Sequence, residues 1–363
     1  MRFRCEREHL AELVGAAGRA AAGRSGLPVL SGVRLEVRGS TLEVTGTDLD
    51  LTISVTGEVA EPSDGVTVVP SRLFGDIVRS LEPGAVTVVA DGDGVRISAG
   101  RSEFSIHSFA AEEFPHVRPA EGDEVTTSTA ELVAGLRQVV PAASSDDNRP
   151  VLTGVLLARE NDGLRLVATD SYRLAVRDLP GTAILTSDQS VLVPSRALGE
   201  LARLLGDSEH VTLVLGHQDA SFKVGRAHLT TRLITGDFPN YRQLIPERQQ
   251  NRLSVARQDL LDGVRRVKLM ARDATPVRMV LSNDGLELVA ISQEVGQAKE
   301  GVEADYEGEP LTVAFNPEYL IDGLEAAGGD HVTIDLVDAL KPALLRSADS
   351  GDFIYLLMPV RVS

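Results

Sequence analysis

The spacing of apolar residues along the chain predicts short helices set among many strands. Apolar positions three and four residues apart fall on one face of a helix, and they predict amphipathic helices at 7–24, 130–143 and 257–272. Their apolar positions are Leu10, Leu13, Val14 and Ala17; Leu132, Val133, Leu136, Val139 and Val140; and Leu260, Leu261, Val264 and Val267.

Strict alternation between apolar and polar residues predicts half-buried strands between these helices. In 33–38, for example, three aliphatic residues alternate with two arginines and a glutamate. Three more helices are expected at 71–81, 195–205 and 317–327, each opening at or beside a proline, which suits a first helical turn. Many strands with two helices per unit predict α+β domains, in which helices pack on antiparallel sheets.

The hydrophobic pattern and several motifs occur three times in the same order. LPVLSGVRLEV at 27–37 recurs as RPVLTGVLLAR at 149–159 and more weakly at 275–285, and EEFPHV at 112–117 recurs as GDFPNY at 236–241. Equivalent positions are 120 to 126 residues apart, close to a third of the 363-residue chain. This period is too long for a solenoid unit. It predicts three tandem similar domains at 1–121, 122–247 and 248–363.

The sequence lacks the residue constellations that enzymes commonly use. It contains no GxxxxGK[ST], GxGxxG, GxSxG or HExxH motif, and its seven histidines have no ligand-pair spacing. Asp91-Gly92-Asp93 fits a hairpin turn better than a calcium loop, and the acidic segment 144–147 fits a polar connector. We expect no catalytic residue, no metal and no cofactor. A hydrolase or transferase on a repeated scaffold stays as an alternative.

The cysteine content and the apolar segments of the chain indicate its cellular compartment. The single cysteine, Cys5, excludes an internal disulfide, and its place in the first strand predicts a small core residue. The chain begins without the apolar core of a signal peptide and has no 18-residue apolar run. We expect a soluble cytoplasmic protein with no membrane partner.

Charge is distributed unevenly between the predicted helices and the remainder of the chain. The net charge of −17 argues against a surface that is basic all over. The six predicted helices, however, hold 13 basic and 10 acidic residues, whereas the remainder holds 23 basic and 43 acidic residues. Helices gathered on one surface would make it neutral to basic. The alternative is that these arginines only decorate solvated helix faces.

Several segments closely resemble one family along essentially the whole chain. The beginning FRCEREHL, the segments NRPVLTGV (148–155), ATDSYRLAVR (168–177) and GDFPNY (236–241), and the ending YLLMPVRV (355–362) are similar to the bacterial DNA sliding clamp, the β subunit of DNA polymerase III. The resemblance implies a non-catalytic processivity factor. The resemblance further implies a head-to-tail homodimer whose six domains form a ring around duplex DNA, with helices lining the hole.

The resemblance also implies a set of partners. Double-stranded DNA is held without regard to sequence, and the DNA polymerase III catalytic subunit, the clamp loader and other clamp-motif proteins bind the ring. Arg24 stands where the family has a DNA-contacting arginine, whereas Asp146 and Asp147 stand where a second contact is expected. The residues expected to face DNA are Arg24, Arg72, Arg79, Arg137, Arg196 and Arg203.

A further implication is a pocket on the second and third domains for short apolar and aromatic peptide motifs. Leu, Pro and Met would make an adaptable apolar groove, and Arg with Thr would hold the peptide backbone. Ser171-Tyr172 departs from a common Gly-His, Gln243 stands where a basic residue can occur, and Ser363 extends the tail. The matching positions are Arg149, Leu152, Thr169, Ser171, Tyr172, Arg173, Leu174, Pro239, Leu244, Asn316, Tyr319, Pro342, Leu356, Met358, Pro359, Val360 and Arg361.

The ring interface would join the first domain of one subunit to the third domain of the other. Phe104 is expected on an edge strand, facing Leu269 and Met270 of its neighbour. Because the Ser171-Tyr172 departure alters the pocket, the sequence leaves a second function open. This alternative is an accessory clamp paralogue that protects its host against a clamp-directed inhibitor.

Overall fold

In the computed structural model, helices and strands follow each other much as the apolar pattern predicts. The structure describes residues 1–23, 26–182, 184–185, 189–206, 208–246, 250–271, 275–348 and 351–361. Within these ranges the α-helices are α1 (Arg7–Gly18), α2 (Ser71–Ser80), α3 (Thr129–Val139), α4 (Ser195–Leu205), α5 (Arg257–Lys268) and α6 (Pro317–Ala327).

The strands occur in three similar runs, and every pairing between them is antiparallel. They are β1 (Arg2–Glu6), β2 (Gly32–Arg38), β3 (Thr41–Thr47), β4 (Leu51–Glu58), β5 (Ala60–Ser63), β6 (Gly65–Pro70), β7 (Ala85–Asp91), β8 (Gly94–Ala99), β9 (Ser102–His107), β10 (Glu124–Ser128), β11 (Gly154–Glu160), β12 (Gly163–Thr169), β13 (Arg173–Leu179), β14 (Ser190–Pro194), β15 (His210–Leu215), β16 (Asp219–Val224), β17 (Ala227–Arg232), β18 (Asn251–Ala256), β19 (Val277–Ser282), β20 (Gly285–Ser292), β21 (Gly296–Val302), β22 (Ala304–Glu307), β23 (Leu311–Phe315), β24 (His331–Leu336), β25 (Ala343–Ser347) and β26 (Phe353–Leu357).

By the contacts among its residues, the chain divides into two compact units. The first comprises Met1–Thr129 and Glu200–Leu233, and the second comprises Ala130–Gly199 and Ile234–Ser363. Each unit therefore takes part of the middle third of the sequence. The reason is strand pairing: β17 pairs with β4 in the first unit, and β13 pairs with β26 in the second.

The first unit contains two sheets and a large apolar cluster. Their strand orders are β5-β1-β7-β8-β9 and β10-β15-β16-β17-β4-β3-β2-β6. Phe3, Leu10, Leu35 and Phe74, from two strands and from helices α1 and α2, are fully buried together. Cys5 is buried beside them, and this burial raises the pKa of its thiol to about 12. Its prediction as a small core residue is confirmed.

The second unit repeats this plan with strands from the last two thirds of the chain. Its sheets have the orders β14-β11-β12-β13-β26-β25-β24-β18-β22 and β21-β20-β19-β23. The largest fully buried side chains here include Tyr355, Phe315 and Phe353. The predicted α+β class, with helices on antiparallel sheets, is confirmed in both units.

Three predicted helices were too long at their C-terminal ends. The helix predicted at 7–24 ends at Gly18, after which Ala20 and Ala21 close tight turns back to the helix end. The helix predicted at 130–143 gives way at Val140 to a 3₁₀ turn, because Pro141 has no N–H to continue the ladder. The helix predicted at 257–272 ends at Lys268.

The sequence leads us to expect neither a membrane-spanning helix nor a metal site. No helix in the described ranges is both long and apolar enough to cross a bilayer. The same ranges contain no group of three His, Cys, Asp or Glu side chains placed to hold a metal ion.

Asp91 and Gly94 face each other across the β7–β8 hairpin, so the turn predicted there is confirmed.

Candidate peptide pocket and nucleic-acid interface

A tight turn between β12 and β13 lies at the centre of the candidate pocket. The Thr169 hydroxyl donates to the Arg173 carbonyl oxygen at 2.6 Å and accepts from the Ser171 N–H at 3.2 Å. The Asp170 carboxylate accepts from the N–H groups of Tyr172 and Arg173 at 2.8 and 3.0 Å. These bonds hold Ser171 at a φ of 81°, which glycine adopts more easily. The turn presents the Tyr172 side chain to solvent, and 58% of that residue is exposed.

The Arg173 side chain is engaged by groups within the protein. Its guanidinium donates to Asp170 at 3.0 Å, to the Pro141 carbonyl oxygen at 2.5 Å and to Asp322 on α6. Its Cζ also lies 4.4 Å from the centroid of the Tyr319 ring. Burial acts to lower the pKa of Arg173, but a buried tyrosine and the two carboxylates outweigh burial and hold that pKa above its ordinary value. Arg173 therefore positions the pocket wall.

Two stacked tyrosines form one side of the pocket. The rings of Tyr172 and Tyr319 lie 6.4 Å apart between centroids, at an interplanar angle of 25°. Tyr319 belongs to α6, whose first turn is capped because the Asn316 side chain accepts from the Glu318 N–H at 2.9 Å. Below it, the buried Tyr355 hydroxyl donates to the Tyr319 carbonyl oxygen at 2.9 Å. The stack therefore rests on a fixed helix end.

The C-terminal tail runs past the same turn and is held at two points. The Met358 N–H donates to the Tyr172 carbonyl oxygen, and the Val360 N–H donates to the Ala314 carbonyl oxygen, both at 2.8 Å. Met358 is 37% exposed, whereas Leu356, two residues earlier, is 2% exposed. Backbone bonds thus fix the path of the tail, while the flexible Met358 side chain can adjust to an apolar ligand.

An apolar cluster lies beneath the turn and the tail. Leu174, Leu356 and Tyr241 are buried in it together. Leu244, in the 3₁₀ turn that begins at Tyr241, is 46% exposed, and Pro239 is exposed as well. Two residues that the sequence assigns to the pocket, Leu174 and Leu356, are therefore core residues below it. Leu244 and Met358 offer the open apolar surface.

Arg149 lies at the other edge of the turn. Its guanidinium donates to the Asp146 carboxylate at 2.8 Å and to the Ser171 hydroxyl at 3.2 Å. The bond from Arg149, with others from Asn148, holds the pKa of Asp146 below its usual value. Leu152, in the following 3₁₀ turn, is buried. Asp146, which stands where the resemblance leads one to expect a DNA contact, is therefore paired with Arg149.

Some residues that shape the pocket were not predicted. Asp170 caps the central turn, and Asp322 holds Arg173 from the following domain. For Asp170 a signal was present, since Asp followed by two polar residues between strands is typical of a turn closed by its own side chain. For Asp322 no signal was present, because it stands 149 residues from Arg173.

Five of the six arginines that the resemblance places against DNA lie on three helices. Arg72 and Arg79 on α2, and Arg196 and Arg203 on α4, are all exposed, as is Arg137 on α3. Within each pair the residues are seven positions apart, two turns of helix, and so share a face. Arg72 and Arg79 also line a cavity of about 390 Å³ between α1 and α2.

Arg79 and Arg203 have carboxylate partners within the chain. Arg79 pairs with Asp76 at 2.6 Å, and Arg203 pairs with Glu200, which is itself largely buried. Such pairing lowers the positive potential of the helix faces. Arg24, the arginine that the resemblance places most directly at DNA, lies outside the described residues.

Two sheet edges carry the residues expected at a subunit interface. β9 ends the five-stranded sheet, and Phe104 on it is 37% exposed. β21 ends the four-stranded sheet, and among the described residues near it Leu269, just after α5, is 76% exposed. Met270 is half-buried. An edge strand has unpaired N–H and C=O groups that can pair with another chain.

Family models and known proteins match this chain along its length. Models of the DNA polymerase III beta subunit match in order: the N-terminal domain at 1–118, the central domain at 126–240 and the C-terminal domain at 242–361. The beta sliding clamps of Streptomyces coelicolor and Vibrio cholerae are 34% and 32% identical to it, each over 100% of both chains.

Solved structures agree with the sequence comparison. The DnaN sliding clamp of Bartonella birtlesii, bound to griselimycin, superposes with a TM-score of 0.93 at 31% identity, and the DNA polymerase III beta subunit of Thermotoga maritima with a TM-score of 0.91 at 26% identity. Each covers 100% of both chains. The chain therefore belongs to the family of bacterial sliding clamps, the beta subunits of DNA polymerase III, which are non-catalytic processivity factors of DNA replication.

Proposed function

We propose that this chain forms a head-to-tail homodimeric ring around duplex DNA and holds polymerases there through the pocket at the 169–173 turn. Members of the family bind DNA, form homodimers and interact with polymerase and other clamp-binding proteins. The observation that supports the tether is the C-terminal tail, which is pinned by the N–H groups of Met358 and Val360 while the Met358 side chain stays open.

In this proposal the partner is a short peptide with apolar and aromatic side chains. Such side chains would lie on Leu244, Met358 and the Tyr172–Tyr319 stack, above the buried cluster of Leu174 and Leu356. Arg149 and Arg361 are both exposed and would hold the peptide backbone or its polar groups. The expected partners are the DNA polymerase III catalytic subunit, the clamp loader and other clamp-motif proteins.

Contact with DNA would be weak and independent of sequence. A ring is kept on DNA by its closure, so phosphate contacts need only centre the duplex, and strong contacts would oppose sliding. Arg72, Arg137 and Arg196 are proposed to face the phosphates, together with Arg24. Arg79 and Arg203 belong to the same set, and the carboxylate partner of each would reduce its attraction for phosphate. Electrostatic contact of this kind weakens as salt increases, whereas topological linkage does not.

The ring would close where β9 of one protomer meets β21 of the next. Both strands are sheet edges, and their pairing would extend two sheets into one. Phe104, Leu269 and Met270 would be buried at that junction. Domain boundaries near 121 and 247, and a cytoplasmic location on the nucleoid, belong to the same proposal.

Two measurements on the full chain test the tether. We expect Met358→Ala, or removal of the last five residues, to weaken binding of a labelled apolar and aromatic peptide by about tenfold, since interface anchors contribute 1–2 kcal/mol or more. Sedimentation should show an unchanged dimer. Unchanged peptide affinity in both variants would contradict the pocket assignment.

The accessory-clamp alternative predicts a different binding profile. Griselimycin is the ligand in two of the similar clamp structures, those of Pseudomonas aeruginosa and Bartonella birtlesii. A spare protective clamp would bind partner peptides normally but bind this inhibitor much less well than the organism's main clamp. The altered Ser171-Tyr172 pair does not by itself favour that alternative. We therefore propose the replicative function.

A further inference from the structure

A second groove lies beside the pinned tail. It encloses about 580 Å³. Two arginines, one hydroxyl and three apolar side chains line most of it: Arg278, Arg361, Thr312, Ala314, Leu340 and Val360. It shares Val360 and Arg361 with the tail and therefore continues the proposed peptide site.

The backbone fixes the position of both arginines around one residue. Arg278 on β19 stands directly opposite Ala314 on β23 in the antiparallel register, so their side chains share a face of the sheet. The Ala314 carbonyl oxygen accepts the Val360 N–H, which brings the tail to the edge of the same sheet. Arg361 is the next residue. The two guanidinium groups are thus delivered to one groove from two independent segments.

These two arginines differ from those at the neighbouring site in having no acidic partner. Arg149 and Arg173 both bond to carboxylates of the chain. Among the residues that the structure describes, neither Arg278 nor Arg361 forms an ion pair. In a chain of net charge −17, two unpaired guanidinium groups in one groove make a local positive site.

The groove also has an exposed apolar residue, Leu340, in a turn that is held in place. Leu340 is 63% exposed, although it belongs to a loop that is well ordered by hydrogen bonds. The Asp338 carboxylate accepts from the N–H groups of Leu340 and Lys341 at 2.8 and 2.9 Å, which closes the turn. The lining of the groove therefore combines apolar and cationic side chains.

We propose that this groove binds an acidic residue of the same partner peptide whose apolar side chains occupy the pocket at the 169–173 turn. A guanidinium matches a carboxylate with two parallel N–H···O bonds, and two of them would favour Asp or Glu strongly over a neutral amide. Leu340 would cover the aliphatic part of that side chain. The inference rests on the proposed peptide-binding function and adds to it the class of flanking residue.

Labelled peptides that differ only in their flanks provide the test. Each would contain a Leu-Phe core with two Asp or two Asn residues on either its N-terminal or its C-terminal side. Fluorescence polarisation on the full-length dimer should show one Asp peptide binding about tenfold more tightly than its Asn counterpart, as expected for one charge-assisted pair. Arg278→Gln and Arg361→Gln, each alone, should bring that ratio towards one.

A control variant separates local recognition from net charge. Arg38→Gln removes an exposed charge from β2 and should leave the ratio unchanged. Equal binding of Asp and Asn peptides by the wild type would overturn the groove but leave the pocket standing. No binding of any peptide would overturn both. Loss of DNA affinity in the two groove variants, with the peptide ratio kept, would overturn the proposal in favour of phosphate contact.

Discussion

Two turns at equivalent places in the first two repeats have the same backbone and different side chains. In the 47–51 turn, the Thr47 hydroxyl bonds to the Leu51 carbonyl oxygen at 3.2 Å, and Asp48 accepts from the two N–H groups that follow Leu49. The 169–173 turn contains the same bonds from its own Thr and Asp. The third residue has a φ of 82° in one turn and 81° in the other.

The two turns differ in the side chains of their last two residues. In the first turn the last two residues are Asp50, whose carboxylate is 3.8 Å from Arg232, and the buried Leu51. In the second they are Tyr172, which stacks on Tyr319, and Arg173, which is bonded to two carboxylates. A repeated backbone therefore holds different chemistry at equivalent positions. Only the second turn has an aromatic wall for a ligand.

The largest expected effect comes from the final residue of each turn. Arg173→Met removes the charge that Asp170 and Asp322 share and should lower the free energy of unfolding by about 3 kcal/mol, measured by urea denaturation. Leu51→Ala should cost a similar amount through a cavity. Peptide affinity distinguishes them: it should fall in the first variant and not in the second. Equal peptide affinity in the two variants would show that the two turns do not differ in ligand binding.

A smaller effect is expected from the outward residue. Tyr172→Ala removes one ring of the stack and should weaken peptide binding by about fivefold to tenfold, from an aromatic contribution of about 1 kcal/mol. Asp50→Ala at the equivalent position is the matched control. If the control weakens binding as much as Tyr172→Ala does, the pocket cannot lie at the second turn alone.

The third residue of each turn tests the shared backbone. Ser171→Gly removes the penalty of a left-handed conformation and should leave stability equal or raise it by about 0.5 kcal/mol, whereas Ser171→Val should lower it by about 1–2 kcal/mol. Leu49→Gly should behave like Ser171→Gly, apart from the loss of a half-exposed apolar side chain. Melting temperatures of the four proteins, including the parent, would show whether the two turns respond alike.

The smallest effect is expected from the ion pair of the first turn. Asp50→Asn removes the 3.8 Å contact with Arg232, in which both side chains are mostly exposed. Exposed pairs contribute little to stability. The melting temperature should therefore stay within experimental error at low and high salt. A clear drop would mean that the first turn has a structural network of its own.

The sequence was most informative where local chemistry determines structure. Periodicity located the helices and the strand β2, and the threefold repeat predicted similar domains. Helix ends were predicted less well, because Gly18 and Pro141 end helices that the apolar pattern alone would continue. Burial depends on long-range packing, and three leucines expected in the pocket, Leu152, Leu174 and Leu356, are buried.

The network around Arg173 was the part least accessible to sequence. Its partners Pro141 and Asp322 lie 32 and 149 residues away along the chain. Spacing arguments reach only a few turns of helix or one hairpin, and the resemblance supplied Arg173 without its partners. The sequence also did not predict that Arg278 and Arg361 share the second groove, because one lies on β19 and the other lies in the C-terminal tail.

The central claim, that the chain is a clamp linked to DNA by closure, can be tested directly on circular DNA. The protein would be loaded onto nicked plasmid with its clamp loader and ATP, washed in high salt, and then released by cutting the plasmid. We predict that it stays on circles through the wash and leaves only when the DNA is linear. Loss from circular and linear DNA alike as salt rises would contradict topological linkage.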